Sequence, residues 1–420
     1  MTRSTPHRGY GVAVLMALVH MLAVGDRFLL SVLVEPIKAE LHLGDDAIGF
    51  VQGPASALVH GMAIVPMVLA ARRWPLARLL ALALLGSSVA TILCGCAASV
   101  ALLVPARMLM GLAQAAIGPA AVGLIALSME PGHRGRGIAL FTAGASLGRG
   151  LAMIGGGALL ALFAGLAPAT GLAPWRLVLF AMGGFGLPLV WHLGRRPDPV
   201  ARPGSAAIRM RQALHAMIAD RASLVPHILS ALCAALALQS LTSWSASLMI
   251  RQHGLTPPLA GAQVGLVMMV AGVLGHGLGG WLSDCLGRGR GGGTTPGLML
   301  LGLGLCGLAL WPLTRGGDWV GAGDATLAAL AALAVAVIGL SVTLANGLIG
   351  LQARIASALR VEATAIFLTV ITLSGTALGP WLVGIASHAL TGLADAVALV
   401  LGATCALGCG AALLAYRRAR

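Results

Sequence analysis

The chain has 420 residues, of which 58% are hydrophobic and only 10% are charged. A soluble domain carries about a quarter charged residues, so this composition excludes a chain folded mainly in water and indicates a membrane protein with room for about twelve spans. The formal charge of +14 could suggest nucleic acid, but the arginines lie between apolar runs and form no basic face, so no nucleic-acid partner is expected.

Apolar runs of membrane-spanning length follow one another along the chain. We predict an all-α integral membrane protein whose twelve transmembrane helices lie at 10–34, 49–70, 78–97, 102–127, 137–164, 175–194, 223–248, 258–281, 296–314, 323–350, 363–388 and 393–415. The first run follows a basic start, as in a signal peptide. Because no convincing A-x-A cleavage site precedes Asp26, we expect this run to be retained as a helix.

The longest connection, 195–222, separates the first six runs from the last six. It opens with the proline-rich RRPDPVARPG and continues with apolar residues at helical spacing, such as Leu214 and Met217. We predict a cytoplasmic linker that contains an amphipathic surface helix. It would join an N-terminal six-helix bundle over 1–194 to a C-terminal six-helix bundle over 223–420.

Basic residues between the runs fall mostly on one side of this predicted arrangement. The exceptions are Lys38, Arg176, Arg251 and Arg315, which fall on the opposite side together with most of the acidic residues outside the spans. Cytoplasmic loops carry an excess of Lys and Arg. We therefore expect a multi-pass protein of the cell (inner) membrane with both termini in the cytoplasm.

Each half contains a pair of glycines four residues apart. Gly144 and Gly148 lie in the fifth run, and Gly375 and Gly379 lie in the eleventh. This G-x-x-x-G spacing lets two membrane helices approach closely. We therefore predict helix contacts at both pairs.

Ionisable residues inside the spans are few and concentrate in the first half, where they are Asp26, Arg27, Arg107 and Arg149. Each costs about 2.5–3.5 kcal/mol at a helix centre on insertion scales, so a function is expected for them. One interpretation is a polar cavity that attracts an anion, in which Asp26 could take up a proton. The other is a closed network in which Arg27 or Arg107 neutralises Asp26 and only holds helices together.

Uncharged polar side chains complete the candidate site. Gln114 lies seven residues after Arg107 and shares its helix face. His60 is the most central intramembrane histidine, although such residues more often serve packing or hydrogen bonding. Trp244 and Asn346 belong to the second half, whose spans carry no formal charge in their middle.

No cofactor, metal site or disulfide is expected. The seven cysteines form no C-x-x-C pair, and most lie in apolar segments as small core residues. A nucleotide-binding loop needs a lysine after its glycines, and Lys38 is the one lysine of the chain. The sequence therefore predicts no ATP-driven motor.

Several segments resemble spinster-like members of the major facilitator superfamily. They are GDRFLLSVLVEPIKAELHLGDDAIGFVQG (25–53), RMLMGLAQAAIGPAA (107–121), WSASLMIRQHGL (244–255), GHGLGGWLSD (275–284) and TAIFLTVITLSGTALGPWLVGIAS (364–387). The resemblance extends over nearly the whole chain. It implies alternating access of two six-helix halves around a midplane cavity. It also implies a proton-linked or lipid-like substrate, such as a lysolipid, a sphingoid phosphate or a small organic or aromatic acid.

The resemblance also assigns roles to individual residues. Asp26 and Arg27 match the family's acid–base pair in the first helix, and Arg107 and Gly111 match its fourth-helix R-x-x-x-G motif. A gating role at a cytoplasmic loop, G-x-x-x-D-x-x-G-R, is implied for four residues of the second half. They are Gly280, Asp284, Gly287 and Arg288.

Three features depart from the family pattern. Gln114 stands where relatives usually have Glu, which weakens the expectation of proton coupling by two carboxylates. Val68 and Arg72 replace the Gly and Asp of the N-terminal cytoplasmic loop, which weakens the expectation of a complete cytoplasmic gate. Arg149 has no counterpart in the pattern.

These observations predict a monomeric secondary transporter in the lipid bilayer that moves an amphipathic organic anion or a lysolipid-like solute. With up to three cations near Asp26, we expect this acid to stay ionised and proton coupling to be weak. The alternatives are a transporter of small aromatic or organic acids, an uncoupled facilitator, and a non-transporting membrane sensor. An intramembrane enzyme would need His/Asp or Cys/His clusters at one membrane face, and since none is evident no enzymatic activity is expected.

Overall fold

The computed structural model describes residues 6–71, 73–130, 133–196, 206–287, 293–315, 322–390 and 392–419. Within these ranges the chain forms seventeen α-helices, a 3-10 helix at Ser357–Leu359 and no β-strand. The α-helices are α1 (Pro6–Leu41), α2 (Asp45–Gln52), α3 (Pro54–Ala70), α4 (Leu76–Cys96), α5 (Val100–Gln114), α6 (Ile117–Ser128), α7 (Arg134–Ala164), α8 (Ala167–Thr170), α9 (Pro174–Phe185), α10 (Leu187–Gly194), α11 (Ala206–Ala219), α12 (Arg221–His253), α13 (Pro257–Gly287), α14 (Thr294–Arg315), α15 (Ala322–Arg354), α16 (Arg360–Leu390) and α17 (Leu393–Ala419).

Twelve helical stretches of the described chain are long and apolar enough to cross a membrane. They are Gly9–Leu41, Asp45–Ala70, Leu76–Cys96, Val100–Ser128, Arg136–Ala164, Pro174–Gly194, Arg221–His253, Pro257–Leu286, Thr294–Arg315, Ala325–Arg354, Glu362–Leu390 and Leu393–Arg418. Each predicted run overlaps one of these stretches. The prediction of an all-α membrane protein with twelve spans is therefore confirmed.

Three of the spans consist of two helices each, which the sequence analysis did not predict. The second span breaks at Gly53, between α2 and α3, because Pro54 disfavours helical backbone in the residue before it. The fourth breaks directly after Gln114, where Pro119 has no N–H for the carbonyl four residues earlier. The sixth breaks at Gly186, two residues before Pro188.

The described residues belong to two compact units. The first unit takes its residues from Met1–Leu43, Pro54–Pro203 and Thr256–Met269. The second takes them from Gly44–Gly53, Gly204–Leu255 and Val270–Arg420. The predicted bundle boundaries at 194 and 223 stay a prediction.

In the first unit α7 lies directly on α1. A Cβ atom added to Gly144 would collide with the backbone of Ala17, and one added to Gly148 would collide with the backbone of Met21. The missing side chains therefore allow the two helix backbones to touch. The apolar core beside this contact includes buried residues such as Met16.

In the second unit α16 lies against α12 in a similar way. A Cβ atom added to Gly375 would lie 3.0 Å from the carbonyl oxygen of Ala235, and one added to Gly379 would lie 2.8 Å from that of Leu236. The apolar core of this unit includes the fully buried ring of Phe367.

A helix, α11, occupies part of the predicted linker. Its Met217 is buried in the core of the second unit, whereas Leu214 and Ile218 are exposed. The preceding residues 197–205 lie outside the described part of the chain.

Candidate functional site in the first unit

Asp26 lies in the interior of α1, where its side chain is buried and only 6% exposed. Its Oδ2 accepts a hydrogen bond of 3.0 Å from the hydroxyl of Ser87 on α4. The same hydroxyl accepts a hydrogen bond of 3.1 Å from Nε2 of Gln114. Ser87 therefore links the carboxylate of the first span to the amide of the fourth.

Arg27, the next residue of α1, has a different partner. Its Nε and Nη2 donate to Oε1 of Gln114 at 3.1 Å and 2.7 Å. The amide nitrogen of Gln114 donates to the carbonyl of Ala23 at 2.8 Å, which fixes the orientation of the amide. The guanidinium of Arg27 is thus held by a neutral acceptor, so its positive charge is not neutralised by this contact.

Arg107 on α5 joins the same group of residues. Its side chain is 1% exposed, and its Nη2 donates to the carbonyl of Arg27 at 3.4 Å. Its charge is also close enough to Asp26 for the two to interact electrostatically. Asp26 also takes a hydrogen bond from Ser87.

Arg149 on α7 supplies a third guanidinium. Its Cζ lies 5.0 Å from the centroid of the Phe28 ring, a cation–π contact that holds the group without removing its charge. Its Nε is buried and has no hydrogen-bond partner among the described residues. Its positive charge is close enough to Arg27 for the two guanidinium groups to repel each other. We call Asp26, Arg27, Arg107 and Arg149 the charged group; they carry three formal positive charges and one negative charge.

His60 on α3 lies beside this group. Its ring is hydrogen-bonded to the backbone of Gly111 and is close enough to Arg27 to interact with its charge. Its Nδ1 has no hydrogen-bond partner in the described chain. A Cβ atom added to Gly111 would collide with the backbone of Ser56, so this glycine is what lets α3 and α5 cross closely.

Trp244 and Asn346 belong to the second unit and are both buried. The indole N–H of Trp244 donates to the carbonyl of Pro380 at 2.9 Å. The amide of Asn346 donates to the carbonyls of Gly279 and Val342 at 3.2 Å and 3.0 Å, while its Oδ1 has no partner in the described part of the chain. Both side chains are therefore tied to helix backbones of their own unit.

Of the residues predicted to form a cytoplasmic gate, Gly280 and Asp284 lie in the last turns of α13. Gly280 has no atom within 4 Å of an added Cβ, so packing does not require a glycine there. Asp284 is exposed. Arg288, like Arg72 of the other predicted loop, lies outside the described residues.

The polar contacts missed by the sequence analysis include two that tie separate helices together. One is the link through Ser87, which lies in an otherwise apolar run without a motif to mark it. The other is in the second unit, where Arg251 forms a bidentate pair with Asp45, with both contacts at 2.7 Å. Ser387 donates to the same carboxylate at 2.6 Å. The acidic first turn of α2 was the available signal for Asp45.

Comparisons of the sequence identify related proteins. The family model described as Major Facilitator Superfamily matches residues 16–380. An MFS-type efflux pump of Mycolicibacterium smegmatis is 29% identical over 288 residues, which cover 68% of this chain and 64% of the pump. The puromycin resistance protein pur8 of Streptomyces alboniger is 30% identical over 206 residues, which cover 49% of this chain and 38% of pur8. The chain thus spans less than two thirds of the length of these curated relatives.

Comparisons of the fold find similar solved structures. A bacterial homologue of the human lysosomal transporter Spinster, in an inward-facing and unoccupied conformation, has a TM-score of 0.85 and 21% identity, covering 99% of this chain and 98% of that one. A D-xylose–proton symporter has a TM-score of 0.71 and 15% identity, covering 97% of both chains. At these identities the likeness is one of fold. Because the family model matches most of its length, the chain belongs to the Major Facilitator Superfamily.

Proposed function

We propose that the protein is a secondary transporter that moves an amphipathic organic anion, such as a lysolipid, across the membrane by alternating access. Membership of the superfamily and a fold shared with solved transporters support the carrier activity. The charged group of the first unit supports the choice of an anion. The observation that carries this choice is the buried guanidinium of Arg149, whose Nε has no partner in the described chain.

The chemistry of the charged group favours a negatively charged ligand. The charged group contains three guanidinium groups and one carboxylate, and Arg27 is hydrogen-bonded to the neutral Gln114. A buried donor without a partner costs about 1–3 kcal/mol. A phosphate or carboxylate would supply both the missing acceptor of Arg149 and a compensating charge. The resemblance to spinster-like proteins supports a lipid-like tail on the same ligand.

Proton coupling is expected to be weak. Asp26 is the one carboxylate of the charged group, and its Oδ2 accepts a hydrogen bond from Ser87. The side-chain amide of Gln114 neither gains nor loses charge in the physiological pH range. A carrier with one carboxylate in this setting should depend less on the pH gradient than relatives with two.

The test compares variants of two arginines on the same helix, α7. Arg149→Ala should abolish uptake of lysophosphatidylglycerol into proteoliposomes and should remove the thermal stabilisation by this probe, which for the parent chain reaches about 2.7 kcal/mol at a hundred times Kd. Arg136→Ala is the matched control, because this arginine is exposed near the start of the helix. Stabilisation by an uncharged monoacylglycerol to the same degree would contradict the anion assignment.

A second candidate, export of organic antibiotics, is favoured by the two curated relatives, which are an efflux pump and a puromycin resistance protein. Puromycin can therefore be added to the same stabilisation assay. The positive charge of the first unit argues against a cationic drug there. Stabilisation by puromycin but not by lysophosphatidylglycerol would favour this candidate, and binding without transport would indicate a membrane sensor.

A further inference from the structure

A groove in the second unit lies between the start of α12 and the C-terminal half of α17. Its volume is about 820 Å³. The walls are formed by apolar residues that include Val225, Leu407, Gly410 and Leu414. Arginine side chains also line it: Arg221 is the first residue of α12, and Arg418 is close to the end of α17.

The two arginines are at the same end of the groove. The guanidinium of Arg418 donates a hydrogen bond to the carbonyl of Ala222, the residue that follows Arg221. Since α12 and α17 both belong to candidate membrane spans, this end corresponds to the ends of two spans. Arginine at such a position lies at the level of lipid head groups.

The rest of the groove faces outward from the unit. Val225 and Leu407 are each 58% exposed, and Leu414 is 50% exposed. Exposed side chains of this kind within a membrane span contact hydrocarbon. The groove is therefore open to the bilayer from the side, with a positively charged end at the surface of the membrane.

The charge at this end is not compensated by an acidic residue of the described chain. Neither Arg221 nor Arg418 forms an ion pair there. Asp220 is adjacent to Arg221 in sequence, and its charge acts on Arg354. Two guanidinium groups without a carboxylate form a suitable binding site for a phosphate group, which they can hold with charge-assisted hydrogen bonds.

We propose that the groove binds an anionic phospholipid from the leaflet that contacts the C-terminal end of α17. The phosphate would lie on Arg221 and Arg418, and an acyl chain would lie along Leu407 and Gly410. Basic pockets between membrane helices are known to bind acidic lipid head groups. All residues of this site belong to the second unit, whereas the charged group belongs to the first, so we assign the site to a bound lipid and not to the transported solute.

The head-group test uses the full chain, purified in a mild detergent. Phosphatidylglycerol and phosphatidylcholine with identical acyl chains are titrated, and bound lipid is counted by native mass spectrometry. Phosphatidylglycerol should bind more tightly, and the double variant Arg221→Ala/Arg418→Ala should weaken its binding by about tenfold or more while leaving phosphatidylcholine unchanged. Arg417→Ala is the matched control, since this exposed arginine is next in the chain but does not line the groove.

The acyl-chain test uses a glycine of the wall. Gly410 has no atom within 4 Å of an added Cβ, so Gly410→Leu should fill the groove without disturbing the fold. This variant should weaken the binding of both lipids. Gly304→Leu on α14 is the control, because that glycine also has open space but lies outside the groove.

Three outcomes would overturn the proposal. They are equal binding of the two lipids by the parent chain, an equal loss of binding in the Arg417→Ala control, and full lipid binding by Gly410→Leu. A different result would be a dimer, seen as a species of twice the mass of the chain, that Gly410→Leu converts to the monomer. That result would overturn the proposal by showing that a second copy of the chain occupies the groove. Because Gly410→Leu does not depend on the arginines, the site stays testable even where the double variant fails to fold.

Discussion

Gln114 connects the residues of the charged group through both ends of its amide. Its oxygen accepts from Arg27, and its nitrogen donates to Ala23 and Ser87. An amide can satisfy donors and acceptors at once without taking up a proton. At this position it therefore preserves the hydrogen-bond network and removes the titration that a carboxyl group would bring.

The variant Gln114→Glu should restore dependence on the pH gradient. When ionised, the introduced carboxyl group would pair with Arg27. When protonated, it could donate to the carbonyl of Ala23, which lies 2.8 Å from the present amide nitrogen. Uptake by this variant should fall by about fivefold or more when the pH gradient is dissipated at clamped membrane potential, whereas the parent should change less than about twofold.

The variant Gln114→Asn is the control, because it keeps an amide and shortens only the side chain. It should leave the pH dependence of the parent unchanged even where it slows transport. A parent chain whose uptake collapses when only the pH gradient is dissipated would show that Asp26 alone couples transport to protons. That result would contradict the argument from the charge balance.

Sequence reasoning identified the residues of the charged group and Gln114, but not which of them pair. Asp26, Arg27, Arg107 and Gln114 stand out because charge and amide groups are rare within apolar runs. Which of them bond depends on side-chain positions across three helices. Ser87 decides the pairing of Asp26, and a serine within an apolar run is too common to predict such a role. Trp244 and Asn346 stand out equally, yet their donors are used by backbone carbonyls of the second unit.

At the level of helices, backbone contact between α1 and α7 depends on Gly144 and Gly148. Gly144→Ala should destabilise the protein by about 1–3 kcal/mol, because the added methyl group would press on the backbone of Ala17, which cannot move aside as a side chain could. The thermal unfolding midpoint of the purified protein would report this loss.

Gly155→Ala is the control on the same helix. No atom lies within 4 Å of an added Cβ at Gly155, so only the higher helix propensity of alanine acts there. We expect this variant to be unchanged or more stable by up to about 1 kcal/mol. Equal destabilisation by Gly144→Ala and Gly155→Ala would indicate that helix flexibility, and not close contact, requires these glycines.

The helices also show where hydropathy stops being informative. Runs of apolar residues predict spans well, because a chain in lipid must satisfy its backbone hydrogen bonds within each helix. The breaks after Gln114 and at Gly186 leave the average hydropathy of their spans unchanged. Pro119 and Pro188 mark these breaks, yet proline is tolerated inside other spans, such as Pro312 of α14. Proline alone therefore could not predict them.

For the whole molecule, the orientation in the membrane can be tested with native cysteines. Of the seven, Cys96 at the end of α4 and Cys285 near the end of α13 are exposed. The excess of arginine on one side predicts that Cys96 faces outside and Cys285 faces the cytoplasm. An impermeant maleimide added to intact cells should label the parent and Cys285→Ser equally, and should not label Cys96→Ser. If Cys96→Ser is still labelled and the further change Cys285→Ser removes this labelling, Cys285 faces outside and the predicted orientation is reversed.

The grouping of helices into units required more than the order of the spans. Gly44–Gly53 belongs to the second unit although it lies early in the chain. There, Asp45 is held by Arg251, and a Cβ atom added to Gly49 would lie 2.8 Å from the carbonyl of Pro380. Contacts between residues so far apart in sequence leave no trace in hydropathy or in the spacing of charges.

The charged group also has a consequence for the energetics of a cell membrane. Arginine keeps its proton at physiological pH, so the three guanidinium groups outweigh the single carboxyl group of Asp26 whether or not that group is protonated, and the net charge stays positive. Each elementary charge that crosses the membrane field exchanges about 2.3 kcal/mol per 100 mV. A bound anion would neutralise part of this charge, so the loaded carrier should respond to voltage less than the empty one. A membrane potential that is negative inside would then favour the state of the empty carrier that places these positive charges nearer the cytoplasm. Transport would be electrogenic even where it does not depend on the pH gradient.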